Sequence, residues 1–295
     1  MDLKSELKIS IITPVYNQVD YIEATIRSVI EQNYPNLEYI IVDGGSTDGT
    51  LEVIKKYEKH IFKWISEPDN GMYDAINKGF KLSTGDIMAW INSDDIYFKD
   101  TFSKLVEIFT MFPDIKWLQG IPTCIDEQGR IVLVSDLKIW SKYDYYIKNY
   151  NWIQQESVFW KRTLWEKAGG QVANTYKYAG DLELWTRFFR HEKLYSARFL
   201  LSAFRFRGSN QLSSAHLYDY YNEANIIIDN EVENVVSIAE KKIIKRLINY
   251  KKKSQSKLKI YRKIYAYMLK KEFNKLRPNR LEITFNRDNQ QFEIK

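Results

Sequence analysis

Four short apolar runs, each closing on a polar segment, constrain this chain more than any other feature. Ile9-Ser10-Ile11-Ile12-Thr13 ends at Pro14, and Leu37-Glu38-Tyr39-Ile40-Ile41-Val42 ends in Asp43-Gly44-Gly45-Ser46-Thr47-Asp48-Gly49. Ile61 to Ile65 leads to Ser66-Glu67-Pro68-Asp69-Asn70-Gly71. The fourth run, Ile87-Met88-Ala89-Trp90-Ile91, is uninterrupted, as expected of a strand buried on both faces, and leads into Asn92-Ser93-Asp94-Asp95. Between the runs, Ile22, Ile26, Val29 and Ile30 repeat at helical spacing, and Thr50–Tyr57 and Met72–Leu82 suit helices. Strand alternating with helix over residues 8–134 predicts an α/β fold with a mainly parallel sheet and right-handed crossovers. Ligands of such sheets sit beyond the carboxyl ends of the strands. The polar segments after Ile12, Val42, Ile65 and Ile91 all fall at that edge, which predicts one crevice.

The chain has 295 residues, which suits one large domain or one domain plus an appendage. At 44% hydrophobic and 28% charged residues it has ample material for a core. No stretch approaches the roughly 18 uncharged apolar residues of a membrane span. The start, Met1-Asp2-Leu3-Lys4-Ser5-Glu6, carries charges where a signal peptide has its apolar core. The lone Cys124 excludes an intramolecular disulfide framework and a cysteine zinc cluster. Both features fit a cytosolic protein.

The net charge of +6 conceals a division. Residues 241–280 hold 16 Lys/Arg and one acid, Glu272, a net of +15, which leaves −8 over residues 1–240. After about residue 135 the pattern loosens into aromatic-rich segments, followed by a helix expected from Asp181 to Arg190. Ala203-Phe204-Arg205-Phe206-Arg207 alternates like a strand, and beyond residue 216 the text is helical. The organisation expected is a body over residues 1–215 and a basic, mainly helical extension over 216–295.

Several segments could carry chemistry. The adjacent carboxylates of Asn92-Ser93-Asp94-Asp95 resist ionising together without a cation nearby. A hard ion such as Mg²⁺ or Mn²⁺ relieves this and bridges to phosphates, although a solvated turn capping a helix is an alternative. In Asp43-Gly44-Gly45-Ser46-Thr47-Asp48-Gly49-Thr50 the glycines allow close approach of a ligand, and Asp43 can accept hydrogen bonds from a base or ribose. Asp48 is expected to cap the helix that follows. The segment has neither GxGxxG nor GxxxxGK[ST] spacing, so neither a Rossmann dinucleotide site nor a P-loop is supported. Asp181, in Gly180-Asp181-Leu182-Glu183-Leu184-Trp185, is either a helix N-cap or a general base acting on an acceptor hydroxyl. His60, His191 and His216 are scattered, and only His216 is a candidate metal ligand.

Taken in order, these segments resemble the family 2 glycosyltransferases of the GT-A fold, in particular those that assemble bacterial surface polysaccharides. The matching text is Ile12-Thr13-Pro14-Val15-Tyr16-Asn17, Val42 to Thr50, Trp64 to Gly71, Tyr73-Asp74-Ala75-Ile76-Asn77-Lys78-Gly79, Thr84-Gly85-Asp86-Ile87 and Asn92-Ser93-Asp94-Asp95. Downstream it continues in Gln155-Glu156-Ser157-Val158-Phe159, Gly169-Gly170 and Asp181 to Trp185, so that it covers roughly residues 8–210. The resemblance implies a nucleotide-sugar donor, a UDP-sugar first, held by Thr13, Pro14, Tyr16, Asp43, Asp69, Asn77, Lys78 and Asp94. It implies Mn²⁺ or Mg²⁺ at Asp94, with Asp95 following as a further candidate beside the His216 already noted, and Asp181 as the base of an inverting reaction. Glu183, Trp185, Gln155 and Gly170 fall on the acceptor side. The chain departs from the family in Asn92, where a strict Asp-x-Asp begins with an acid, in Gly180, where many relatives have an acid, and in Gln154, where many have His.

The implied activity is inverting transfer of a sugar to a glycan or polyprenyl-phosphate-linked acceptor. The alternative is a non-catalytic nucleotide-sugar or glycan-binding protein. For residues 241–280 the amphipathic pattern leaves three readings: a helical cap with a solvated face, attraction to anionic lipids on the cytoplasmic face of the inner membrane, or nucleic-acid binding. The resemblance gives nucleic acid no role.

Overall fold

A computed structural model describes residues 7–150, 153–207, 215–277 and 280–295; the charged opening, residues 1–6, lies outside the described residues. Strands β1 (Ile9–Val15), β2 (Leu37–Asp43), β3 (Lys63–Ser66) and β4 (Ile87–Trp90) run parallel in the spatial order β4-β1-β2-β3. Ile12 lies opposite Ile40 on one side and Trp90 on the other. Helices α1 (Ile22–Ile30), α2 (Thr50–Lys56) and α3 (Met72–Leu82) make the connections. Every residue of β1 and β4 is buried, as expected where helices cover both faces. The third strand begins at Lys63, two residues into its apolar run, after a 3-10 turn over Glu58–His60.

Beyond β4 come β5 (Ile96–Tyr97), α4 (Thr101–Met111), β6 (Trp117–Gln119), β7 (Thr123–Ile125), β8 (Ile131–Val134) and α5 (Lys142–Tyr146). Then follow β9 (Val158–Lys161), α6 (Arg162–Lys167), α7 (Gly180–His191), β10 (Tyr195–Ala197) and β11 (Ser202–Arg205). Strand β9 lies antiparallel between β4 and β6, and β10 is parallel to β6, so the sheet is mixed but mostly parallel. A second sheet runs β5-β11-β7-β8. The aromatic-rich middle of the chain fills the space beside β4. Trp185 of α7 stacks on Trp90 at 5.7 Å and on Trp117 at 5.8 Å, and Trp160 meets both Trp90 and Trp185 edge-on. Offset and edge-to-face arrangements of this kind satisfy the ring quadrupoles.

The C-terminal part is helical through α8 (Leu217–Asn234), α9 (Ile238–Lys253) and α10 (Lys259–Leu276). Two features differ from a separate helical extension. Ala224, Ile227 and Ile228 of α8 belong to the main core, and Ile244, Leu247 and Phe273 form a smaller cluster with Tyr143, Tyr146 and Ile147. The chain then returns as the hairpin β12 (Glu282–Asn286) and β13 (Gln291–Ile294), with β12 pairing parallel to β10 and Phe292 packing on Phe199 at 5.3 Å. The division at residue 215 therefore separates no two cores. The returning hairpin is invisible in the pattern because two short strands after a lysine-rich helix carry little periodicity.

Candidate active site

Strand β2 delivers Asp43 to the carboxyl edge of the sheet. Its Oδ2 accepts from the backbone N–H groups of Gly45 at 2.9 Å and Ser46 at 3.0 Å, and from Ser66 Oγ at 2.7 Å. Its Oδ1 is buried without a partner. A buried acceptor left unmade is costly, so the atom is fitted for a ligand's donor. The loop after β1 is laced to the loop after β2: Asn17 N–H donates to Ser46 Oγ at 2.8 Å and Thr47 N–H to Asn17 Oδ1 at 2.9 Å. Asp48 works one residue earlier than expected. The cap of α2 is Gly49, while Asp48 Oδ1 accepts from Thr50 N–H at 3.0 Å and Oδ2 from Val19 N–H at 3.0 Å. Asp69 lies over Gly44, where an added Cβ would stand 2.7 Å from Asp69 Oδ2.

Four of the residues expected to hold the donor are buried or have protein partners of their own. Thr13 is fully buried, its hydroxyl paired with Tyr39 OH at 3.2 Å, and Pro14 is buried beside it in β1, whereas Tyr16 is exposed at the rim. Asn77 is engaged at both ends of its amide, donating to Val172 O and accepting from Val172 N–H, each at 2.8 Å. Lys78 pairs with Glu67 at 2.9 Å and Asp74 at 3.5 Å, so it fastens the turn before α3.

The segment after β4 divides its carboxylates. Asp95 serves as a structural anchor: Oδ1 accepts from Arg205 N–H at 2.8 Å and Oδ2 from the Asn92 amide at 3.2 Å. Burial, with Asp94 and Glu156 nearby, pushes its carboxyl well above the ordinary range. Asp94 Oδ2 forms an ion pair with Arg207 Nε at 2.7 Å, and Arg205 Nε donates to the Asp94 carbonyl at 2.7 Å. Burial also raises the Asp94 carboxyl, while Arg207 and Arg205 oppose that shift. Glu156 is buried, accepts from Gln154 Nε2, and is pushed up to about 8 by burial, with Asp94 and Asp181 adding to the effect. That shared influence places Glu156 within electrostatic reach of both aspartates. Oxygen donors suit a hard cation: the Asp94 carboxylate and the partnerless Oδ1 of Asn92 fit one, with nucleotide phosphates needed to complete its shell. His216 does not join them. It stacks on Tyr178 at 4.7 Å and meets Asp219 at 3.0 Å, and among the described residues no three His, Cys, Asp or Glu are grouped to hold a metal.

Asp181 sits in the first turn of α7, partly accessible, with one oxygen, Oδ1, shielded and without a partner. Burial pushes its carboxyl up to about 6, and Glu223 adds to the rise. Asp181 is not the N-cap, which is Ala179. The residues expected on the acceptor side have other work. Glu183 grips Arg187 through Nε at 2.8 Å and Nη2 at 2.7 Å, and Arg187 in turn holds Ala168 O and Gln171 O across the Gly169-Gly170 turn. Gly170 supplies the left-handed φ of 64° that this turn requires. Trp185 is core, and Gln155 donates to Trp90 O at 2.7 Å while its own Oε1 has no partner. Arg205, Arg207, Tyr73 and Glu223 are the residues that sequence reasoning did not assign. The two arginines were legible as neighbours on one face of a strand, being two residues apart.

The profile of "Glycosyl transferase family 2" matches residues 10–164, more than half of the chain, and the chain belongs to that family. The fold is the GT-A fold of S. aureus TarS: the TarS 1–349 structure in complex with UDP-GlcNAc aligns with a TM-score of 0.67 at 20% identity, covering 92% of this chain and 82% of that one. Mannosyltransferase PcManGT from Pyrobaculum calidifontis, in complex with GDP-Man and Mn²⁺, aligns with a TM-score of 0.52 at 16% identity, covering 91% and 85%. In sequence, the chain is 42% identical over 102 residues to a Bacillus subtilis (strain 168) protein named for teichuronic acid biosynthesis, glycosyltransferase TuaG. That segment is 34% of this chain and 40% of TuaG. A glycosyltransferase of Rickettsia prowazekii (strain Madrid E), RP339, is 27% identical over 193 residues, 63% of this chain and 60% of that one. The matched segments thus span less than two thirds of these relatives' own lengths.

Proposed function

We propose that this chain transfers a sugar, with inversion, from a nucleoside-diphosphate donor to a hydroxyl of a glycan or polyprenyl-phosphate-linked acceptor in surface-polysaccharide assembly. The observation that carries the reading is Asp181: a partly accessible carboxylate whose shielded oxygen has no partner and whose basicity is raised to about 6. A general base works best with a pKa close to the operating pH. In the reaction, Asp181 takes the acceptor hydroxyl's proton as that oxygen bonds to the anomeric carbon. The bond from that carbon to the phosphate oxygen breaks on the opposite face, which inverts the centre. Asp43 Oδ1 offers its open acceptor to the donor's base or ribose, with Asp69 and Tyr16 beside it. UDP is the nucleotide we propose, in line with the UDP-GlcNAc bound by TarS. A bound Mn²⁺ or Mg²⁺ would stabilise the charge of the departing diphosphate, and Asp94 with Asn92 would hold it.

The test is transfer from a panel of nucleotide sugars with and without Mn²⁺, repeated for Asp181→Asn and Asp94→Ala. Asp181→Asn is expected to lose on the order of 100-fold or more in kcat with donor binding retained. Full activity in that variant overturns the assignment. Tight donor binding with no turnover against any acceptor supports a non-catalytic nucleotide-sugar-binding protein instead.

We further propose that the protein works at an anionic membrane surface, reached through α10. No helix among the described residues is long and apolar enough to cross a membrane. The outer stripe of α10, by contrast, sets exposed apolar residues among lysines.

A further inference from the structure

The backbone leading into α7 is held by side chains from two other helices. The cap residue of α7, Ala179, supplies no side-chain hydrogen bond. Glu223 of α8 instead accepts from three consecutive N–H groups, Lys177 at 2.9 Å, Tyr178 at 2.8 Å and Ala179 at 2.8 Å. Tyr73 OH, from α3, accepts from Gly180 N–H at 3.0 Å and Asp181 N–H at 3.4 Å, and donates to Tyr178 O at 3.0 Å. Five successive donors are thus satisfied by two residues, at the helix end where N–H groups lack intrahelical partners. The same packing accounts for Gly180, since an added Cβ there would stand 2.7 Å from the Tyr73 ring.

We propose that Glu223 is the positioning residue for Asp181, fixing the start of α7 and setting the field in which the Asp181 carboxylate works. This rests on the reading of Asp181 as the base. A carboxylate at a helix N-terminus is favourable for the helix, yet it disfavours ionisation of a second carboxylate close by. Glu223 does both, and it raises Asp181 in the same direction as burial does. The other titratable groups facing Asp181 are Tyr73 on α3, Tyr145 on α5, Tyr220 on α8 and Glu156 at the 3-10 turn before β9. Burial holds all three tyrosines well above their ordinary value, and Glu156 is held up to about 8, so these stay neutral near pH 7. Helix α8, an acidic helix that precedes the basic stretch of residues 241–280, therefore supports the catalytic centre.

The experiment follows the Asp181 carboxyl carbon by ¹³C NMR across pH, alongside the pH profile of kcat, in wild type, Glu223→Gln and Glu223→Asp. Glu223→Gln keeps an acceptor and removes the charge. It is expected to lower the Asp181 midpoint by about 0.5–1 unit, with the acid limb of kcat moving by the same amount. Midpoint and limb both unchanged in a folded Glu223→Gln overturn the proposal. A midpoint that moves while the limb stays put supports the influence of Glu223 and overturns the reading of Asp181 as the base. Glu223→Asp keeps the charge but withdraws it from the three N–H groups. It is expected to lower kcat at every pH with the limb near wild type, and wild-type kcat in this variant also overturns the proposal.

Discussion

The guanidinium of Arg207 lies 2.7 Å from the carboxylate of Asp94, 113 residues earlier in the chain and at the opposite side of the cleft's floor from β2. A divalent ion at Asp94 meets a cation already in place, and must share or displace it. Arg207→Ala is therefore expected to bind Mn²⁺ alone about three- to tenfold more tightly than wild type, a change of up to ~1.4 kcal/mol. Calorimetric titration without nucleotide measures it. Unchanged or weaker Mn²⁺ binding would show that the arginine does not compete for the carboxylate.

Asp43 offers a second measurement. With Oδ2 engaged by three donors, Asp43→Asn must place its amide N–H₂ either against those donors or where Oδ1 now stands open. Either orientation loses an acceptor. We expect UDP affinity to fall about tenfold, close to the worth of one hydrogen bond to a charged group. Equal affinity in calorimetry would remove Asp43 from the donor site.

What could be read from the chain, and what could not, follows a physical line. Asp43, Asp94 and the strand ends that carry them were legible because a buried strand must finish in polar text at the carboxyl edge of a parallel sheet. Asn77 and Lys78 were legible as polar residues on α3 but not as clamps, because the Val172 backbone that engages Asn77 lies 95 residues away. Glu183 stands at i,i+4 from Arg187, a pair that the sequence displays, yet its reach to the Gly170 turn depends on how α6 meets α7. Glu223 was hidden for the same reason. Its task is defined by three backbone N–H groups, and backbone leaves no mark in composition.

Trp185 tests the difference between a core residue and an acceptor platform. It is buried against Trp90, Trp117 and Trp160. Trp185→Ala should cost ~3–5 kcal/mol in urea unfolding, through lost burial and the cavity left behind. Trp185→Phe should recover most of that, with acceptor KM close to wild type. A large rise in acceptor KM at near-native stability would return the residue to the acceptor side.

Glu156 makes stability depend on pH. Its folded carboxyl is raised by burial to about 8 from an ordinary 4.5, so between those values the folded chain keeps a proton that the unfolded chain has lost. Its contribution to stability is full below pH 4.5 and falls as pH rises through 8. Glu156→Gln is neutral throughout. The Tm of the variant relative to wild type is therefore expected to rise steadily from pH 5 to pH 8, followed by thermal unfolding in matched buffers. A difference that stays flat over that range would show that Glu156 ionises normally.

The outer face of α10 carries the remaining prediction. Ile260, Ile264 and Tyr267 recur at i, i+4 and i+7, so they share one stripe. Ile260 is 72% exposed and Tyr267 is 66% exposed, while Phe273 turns inward to the smaller core cluster. Lys257, Lys263, Lys270 and Lys271 are exposed around that stripe. Each basic residue near an anionic leaflet is worth about 1 kcal/mol, and the apolar stripe adds burial at the headgroup boundary. Cosedimentation with phosphatidylglycerol-containing vesicles should therefore exceed that with phosphatidylcholine alone and weaken as salt is raised. Replacing Ile260 and Ile264 together by Ser is expected to weaken binding about tenfold at constant charge, since burying an Ile side chain is worth ~1.5–3 kcal/mol and insertion is partial. Equal sedimentation of wild type and variant with both vesicle types would leave the stripe without a membrane role, and tight, steeply salt-dependent binding to duplex DNA in its place would assign the charge to nucleic acid.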